Sequence, residues 1–357
     1  MQGPTTPTAV AAPFGGVISR AAVACGAHVT EVTEADRLGL KGTGAMITRT
    51  PLSSEPSPQV DTLTEINLDD LFDAGGLSRL RRTPLQRLMR PSARRFALVA
   101  QEFDHRVGEQ GLAQGSSWLL HRMTAGAQVT GVEHIPATGP LVVLANHPGM
   151  TDTVALLASL ASRPDLLVVA LDRPFLRSLP NVAERLLFVA DDDTRRMTVV
   201  RTVAKHLKQG GALLTFPAGE IEPDPAICGG QQAVESLARW SDSFVLLARW
   251  VPATRFVPAI VSNVVSAQSR RHWLTWLRRT PDEKERLAAA LQVAMPQYQG
   301  LVARVAFGPA QQLCASGLTS LQAAIVAQVR QLIETSADAG QVDAAHEGAN
   351  PSARSHG

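Results

Sequence analysis

Leu141-Val142-Val143-Leu144-Ala145-Asn146-His147-Pro148-Gly149-Met150-Thr151-Asp152 is the stretch from which the fold is read. Its apolar run, Leu141 to Ala145, reads as a strand, and Thr153 to Ser162 beyond it reads as a helix. His147 and Asp152, five positions apart, therefore sit where a strand ends and a helix begins. In open α/β sheets ligands bind at that edge. A histidine there can act as a general base near neutral pH. A carboxylate bonded to its other ring nitrogen fixes the tautomer and stabilises the imidazolium as it forms. The same residues also allow a plainer reading, in which Thr151 or Asp152 caps the helix and His147 is incidental.

Outward from this stretch the chain alternates. Strand-like runs are Leu166–Leu171, Leu186–Ala190, Ala212–Phe216, Phe256–Val261 and Val302–Phe307. Helix-like runs are Thr194–Gln209, Gln231–Trp240 and Leu318–Thr335, with Gly210-Gly211 as a helix stop. This predicts an α/β layered domain with a largely parallel central sheet flanked by helices. A helical segment precedes it, from about Leu77, with a further helix over Ser117–Thr124. Residues 1 to about 60 are punctuated by Pro4, Pro7, Pro13, Pro51, Pro56 and Pro58 and read as poorly ordered, as does the stretch from Ala337 to Gly357.

Of 357 residues, 45% are apolar and 18% charged, which suits a globular core. A net charge of +2 gives no global field toward nucleic acid. Cys25, Cys228 and Cys314 match no zinc or redox spacing and no disulfide framework. The opening Met1–Val17 lacks a basic start followed by an apolar segment, and no run approaches 18 apolar residues. The expected place is the cytoplasm.

A second motif, Phe216-Pro217-Ala218-Gly219-Glu220, follows the strand Ala212–Thr215. Pro217 ends the strand, and Gly219 permits an unusual backbone angle or close ligand approach. Alone, such a turn is a common structural loop. Together, the two motifs resemble the glycerolipid acyltransferase superfamily, which includes glycerol-3-phosphate and lysophosphatidate acyltransferases. Its hallmark is a His, four residues, then Asp, with a Phe-Pro-Glu-Gly-type turn some seventy residues later. Here His147 and Gly219 are 72 apart. Val257-Pro258-Ala259-Ile260 looks like a further apolar segment of that family. The resemblance covers about residues 125–310. It implies an acyltransferase domain over 125–336, after a disordered 1–60 and a helical 61–124 and before a disordered tail, 337–357.

What the resemblance implies is transfer of an acyl group from a thioester, acyl-CoA or acyl-carrier protein, to a hydroxyl of a glycerolipid or lysophospholipid-type acceptor, in phospholipid biosynthesis. His147 would be the base and Asp152 its partner. Asn146, Phe216, Pro217, Gly219, Glu220, Arg195 and Arg196 would bind substrate, with oxyanion donors from backbone N–H groups around Gly219. No metal and no bound cofactor are implied. The acidic run Asp191–Asp193 invites a metal reading with His147, but acids before a helix serve as caps and dipole partners. No Gly-x-Ser-x-Gly elbow occurs, so no serine ester is expected. A non-catalytic lipid-binding relative of the same fold is the alternative.

Two departures bear on the acceptor. Where the family carries an arginine after a strand, this chain has Phe188-Val189-Ala190-Asp191. Where it carries Thr/Ser-Arg after the glycine, this chain lacks it, and Ile221-Glu222-Pro223 stands there. Both cations that would meet a phosphate are altered, and the nearest arginines in sequence are Arg195 and Arg196.

Two basic segments read as interfacial. Residues 77–101 hold seven arginines (79, 81, 82, 87, 90, 94 and 95) and no acid. Arg270-Arg271-His272-Trp273-Leu274-Thr275-Trp276-Leu277-Arg278-Arg279 pairs tryptophans with arginines. Trp favours headgroup level and Arg favours anionic lipid. The other reading is a solvated basic face with Trp in the core. The partners expected are a lipid or lysolipid acceptor and the anionic inner face of a membrane, with peripheral attachment and no nucleic acid.

Overall fold

A computed structural model describes residues 57–74, 84–189, 193–278 and 280–349. Three helices come first, α1 (Pro58–Ala74), α2 (Pro84–Gln110) and α3 (Leu112–Met123). Then follow β1 (Ala127–Thr130), β2 (Leu141–Ala145), α4 (Thr151–Ser159) and β3 (Leu166–Leu171). Two one-turn helices, α5 (Pro174–Arg177) and α6 (Pro180–Ala183), lead to β4 (Leu186–Val189), α7 (Asp193–Lys208) and β5 (Ala212–Thr215). Next are α8 (Pro225–Cys228), α9 (Gly230–Ser236), α10 (Ser243–Trp250) and β6 (Arg255–Ser262). The last elements are α11 (Ala267–Arg270), α12 (Pro281–Ala294), β7 (Ala303–Phe307), β8 (Gln311–Gln312) and α13 (Leu318–Ala349).

One sheet carries the strands in the order β1-β7-β6-β2-β5-β3-β4, with β8 beside β6. The five strands from β6 to β4 are parallel; β7 is antiparallel to β6 and parallel to β1. The chain leaves β2 toward β3 and leaves β5 toward β6, so its direction of travel across the sheet reverses around β2 and β5. Ligand crevices open at such a reversal, outside the carboxyl ends of the strands.

Strand β2 is entirely apolar because both its faces are covered. Leu141, Val143 and Ala145 pack with Ala155, Leu156 and Leu160 around α4, and with Leu120 and Met123 of α3. Val142 and Leu144 pack on the other face against α7, α10 and α13 through Leu207, Phe244, Ile325 and Val329. Burying one such side chain stabilises the fold by about 1.5–3 kcal/mol. The leading helices form a third cluster, in which Leu63 of α1 and Phe103 of α2 meet Leu179 and Val182. Asp104 of α2 accepts the Val182 N–H at 2.9 Å and the Asn181 amide at 3.0 Å, which holds α6 to α2.

Two expectations need correction. The stretch from Ala337 does not lack order throughout: α13 continues to Ala349 and buries Ser336 and Ala337. Its alanine-rich composition favours helix, and Gly340 lets it cross α8 closely, since a Cβ there would lie 2.6 Å from the Ala226 carbonyl oxygen. At the other end, α1 starts at Pro58, inside the segment expected to be disordered; residues 1–56 lie outside the described residues. The arginine-rich stretch is paired in part, with Arg87 and Arg95 exposed. Arg90 pairs with Glu65 and Arg94 with Asp61 at 3.1 Å, both acids coming from α1. Arg79, Arg81 and Arg82 lie outside the described residues. Among the described residues, no helix is long and apolar enough to cross a membrane.

Candidate active site

The site is assembled at the carboxyl edge of β2, β5 and β6, three neighbours in the sheet. Just past β2, Asn146 turns its amide onto β6: its Nδ2 donates to the Val261 carbonyl at 2.9 Å, and its Oδ1 accepts the Val261 N–H at 2.7 Å. Asn146, expected to bind substrate, thus has both ends of its side chain engaged with β6.

His147 follows, 3% exposed. Its Nδ1 lies 2.7 Å from Asp152 Oδ2. The first residue flanking α4 is Met150, and it makes no side-chain cap. Neither Thr151 nor Asp152 stands at the cap position; Asp152 is in the first turn with its carboxylate aimed at the imidazole. Its other oxygen, Oδ1, accepts the Thr153 N–H at 2.5 Å and the Thr153 hydroxyl at 3.2 Å. A carboxylate in the first turn is also favoured by the helix dipole. The Phe216 ring packs on the imidazole, with centroids 4.7 Å apart.

Burial works against the imidazolium of His147. Asp152 beside it, and the more remote Glu222, outweigh that penalty, so its pKa lies above the ordinary 6.5.

The second motif sits beside the first because β2 and β5 are parallel, with Leu144 opposite Thr215. Pro217 is buried and its carbonyl accepts the Ser241 N–H at 2.9 Å. Gly219 is exposed at φ +66°, left-handed backbone that glycine adopts freely. Its N–H closes a turn onto the Phe216 carbonyl at 3.0 Å. The expected oxyanion donor at Gly219 itself is therefore already spent on that turn. Glu220 pairs with Arg239 at 3.0 Å, near the surface.

The acid that meets His147 is Glu222, which sequence reasoning treated only as part of a departure from the family pattern. It is 2% exposed. Its Oε2 accepts the His147 N–H at 3.0 Å, and its own N–H donates to the His147 carbonyl at 2.9 Å. Its Oε1 accepts the Trp240 indole N–H at 2.8 Å and the Ser236 hydroxyl at 3.1 Å. Burial pushes the Glu222 pKa up against the pull of these donors. No local pattern announces this role, because its partners come from residues 147, 236 and 240.

Asp224 ties the same loop to the end of β6. It is buried and accepts the N–H groups of Ala226 (3.0 Å), Asn263 (2.9 Å), Val264 (2.9 Å) and Val265 (3.4 Å). From there residues 266–298 run out from the catalytic edge before β7. In this excursion Leu274 is buried but Trp273 is 58% and Trp276 78% exposed. Arg270 pairs with Glu285 at 2.6 Å, and Arg271 is exposed. The tryptophans are thus not core residues.

Arg195 and Arg196 lie in α7, and their side chains are outside the described residues, as are Asp191 and Asp192. Among the described residues no group of His, Cys, Asp and Glu is arranged to hold a metal ion. The Cys228 thiol is half-buried, and burial pushes its pKa to about 11, far from a thiolate nucleophile at neutral pH.

Residues 126–262 match the family model described as Acyltransferase. No curated protein matches the chain. Among solved structures, the 1-acyl-sn-glycerophosphate (LPA) acyltransferase PlsC from Thermotoga maritima aligns with 79% of this chain and 94% of its own, at 16% identity and a TM-score of 0.35, a likeness too low to bear on function. The family match spans β1 to β6 and takes in both motifs, His147–Asp152 and Phe216–Glu220. Over residues 126–262, then, the chain is similar to the acyltransferase family.

Proposed function

We propose that this domain transfers an acyl group from a thioester, acyl-CoA or acyl-carrier protein, to a hydroxyl of a glycerolipid or lysophospholipid-type acceptor. The observation that carries the reading is the buried 2.7 Å contact between His147 Nδ1 and Asp152, at a strand-to-helix junction within an acyltransferase-family segment. With Nδ1–H donated to Asp152, Nε2 is the basic nitrogen. It takes the acceptor's hydroxyl proton as the oxygen attacks the thioester carbonyl. The tetrahedral intermediate collapses, the C–S bond breaks, and the imidazolium returns the proton to the departing thiolate. The products are an ester and a free thiol, with no covalent enzyme intermediate. Phe216, packed on the imidazole, borders the reacting groups in this scheme, with Asn146, Pro217, Gly219 and Glu220 on the same sheet edge, and Arg195 and Arg196 are proposed as acceptor ligands from their place in the sequence. A non-catalytic relative would have no need of a buried, bonded His–Asp pair.

Thioester consumption by the purified protein against lysolipid, glycerol-phosphate and amine acceptors tests the reading. A lysolipid hydroxyl is expected to react fastest, and a folded protein inert toward the whole panel would refute it. Glycerol 3-phosphate is expected to be a poor acceptor, because Asp191 and Ile221 stand where the resembling family has arginine. Should it instead give the highest kcat/KM, with Arg195→Ala, Arg196→Ala or Arg239→Ala abolishing the rate, that arginine is a phosphate ligand and the acceptor expectation is wrong.

The acceptor is met at an anionic membrane surface, in this reading, through Trp273, Trp276 and Arg271. The protein should sediment with anionic vesicles at low salt and release as salt screens the attraction. Replacing both tryptophans by alanine should weaken binding by at least ~10-fold, the scale of one buried large apolar side chain. Equal binding to neutral and anionic vesicles would remove the electrostatic part, and an unaffected double variant would remove the tryptophans.

A further inference from the structure

We infer that Glu222 is a positioning residue for His147, holding its peptide and biasing its ring without touching substrate. This rests on the reading of His147 as the base. Past Ala145 the ladder of β2 has ended, and the Asn146 side chain takes over the contact with β6. His147 therefore has no strand to lock its backbone. Glu222 supplies the lock from the neighbouring loop, engaging both the N–H and the carbonyl of one peptide-linked residue. Two bonds of opposite sense to the same residue fix its position and its rotation, and with them the direction in which the imidazole leaves the chain.

The lock is itself braced. Trp240 and Ser236 hold the far oxygen of Glu222, so that the carboxylate spans from α9 and the turn after it to the catalytic loop. Both oxygens are engaged and the side chain is almost fully buried. Nothing of it is left to contact an acceptor or thioester, which is why its role is positioning rather than catalytic. The charged groups bearing on the imidazole are Asp152 from α4 and Glu222 from the loop after β5; Glu220, on the same loop, is paired with Arg239. A negative Glu222 favours the imidazolium and so supports proton uptake by the ring.

Glu222→Gln keeps the shape and one acceptor but removes the charge and one acceptor site. It is expected to lower kcat by about 10- to 100-fold with KM nearly unchanged, the scale of a small misplacement of a reacting group. The acid limb of the pH profile should move to lower pH, and the His147 imidazole, assigned by comparison with His147→Gln, should titrate at lower pH by NMR. If Glu222→Gln fails to fold, Trp240→Phe removes one brace and keeps the charge; its kcat should then fall by a smaller factor. A folded Glu222→Gln with wild-type kcat, or one whose loss of kcat follows only its loss of thermal stability while the His147 titration stays put, overturns the inference, as does an unaffected Trp240→Phe. The NMR titration does not depend on catalysis, so failure of the base assignment would show separately, as activity retained by His147→Ala.

Discussion

Asp152→Asn should lower kcat by about 10^3- to 10^4-fold, the scale seen when a catalytic histidine is held in the wrong tautomer. The reason lies in the two sides of the carboxylate. Oδ1 faces two donors, the Thr153 N–H and hydroxyl. In the variant the amide oxygen must take that side, because an NH2 there would set donor against donor. The NH2 group then points at His147 Nδ1, which must accept. The ring proton moves to Nε2, the nitrogen that should be taking a proton from the acceptor. The variant should remain folded, because the Thr153 contacts survive. Measured kcat within tenfold of wild type, in a protein whose melting temperature is preserved, would sink the tautomer argument.

His147→Ala should cost at least ~100-fold, the lower end of what general-base catalysis contributes. It also strands a buried carboxylate, so its melting temperature must be measured beside its rate; removing one member of a buried charged pair costs about 3–5 kcal/mol. His147→Ala/Asp152→Ala relieves that charge. If the two residues work as a unit, the double variant is no slower than His147→Ala alone. Independent, multiplying losses would break the pairing. The wild-type pH profile gives a further check. The base works only when neutral, so kcat/KM falls as pH drops through the His147 pKa. Since Asp152 and Glu222 hold that pKa above 6.5, the fall should begin at higher pH than an unperturbed histidine would give.

The parts of this molecule that could be read from sequence are those whose cause is local. Leu141–Ala145 and Leu166–Leu171 are found residue for residue, because a short apolar run has one way to be buried in a parallel sheet. The helix after the first motif begins at Thr151, two residues earlier than expected, since Asp152 turns to His147 instead of ending the helix as a cap. Val302–Phe307 is legible as a strand, but its direction is not: pairing antiparallel to β6 depends on the path of residues 263–300 between them. Glu222 escaped notice for the same reason, as every one of its partners is distant in the chain. The exposure of Trp273 and Trp276 could not be told from burial by composition, since either fits Trp beside Leu.

The adjacency of β2 and β5 has a consequence for how such chains can diverge. Between the two motifs the polypeptide makes an excursion through α4, β3, α5, α6, β4 and α7 toward the sheet margin and back. Residues added to or lost from the far loops of that excursion leave both motifs where they are, so the 72-residue interval is a poor ruler. The short offsets are the strict ones: a single residue, Asn146, between Ala145 and His147, and a single residue, Phe216, between Thr215 and Pro217. A one-residue slip in either strand would turn every side chain beyond it to the opposite face and part His147 from Glu222. Changes of length are therefore expected to be tolerated in the outer half of the sheet, and a residue inserted into either inner offset is expected to dismantle the site.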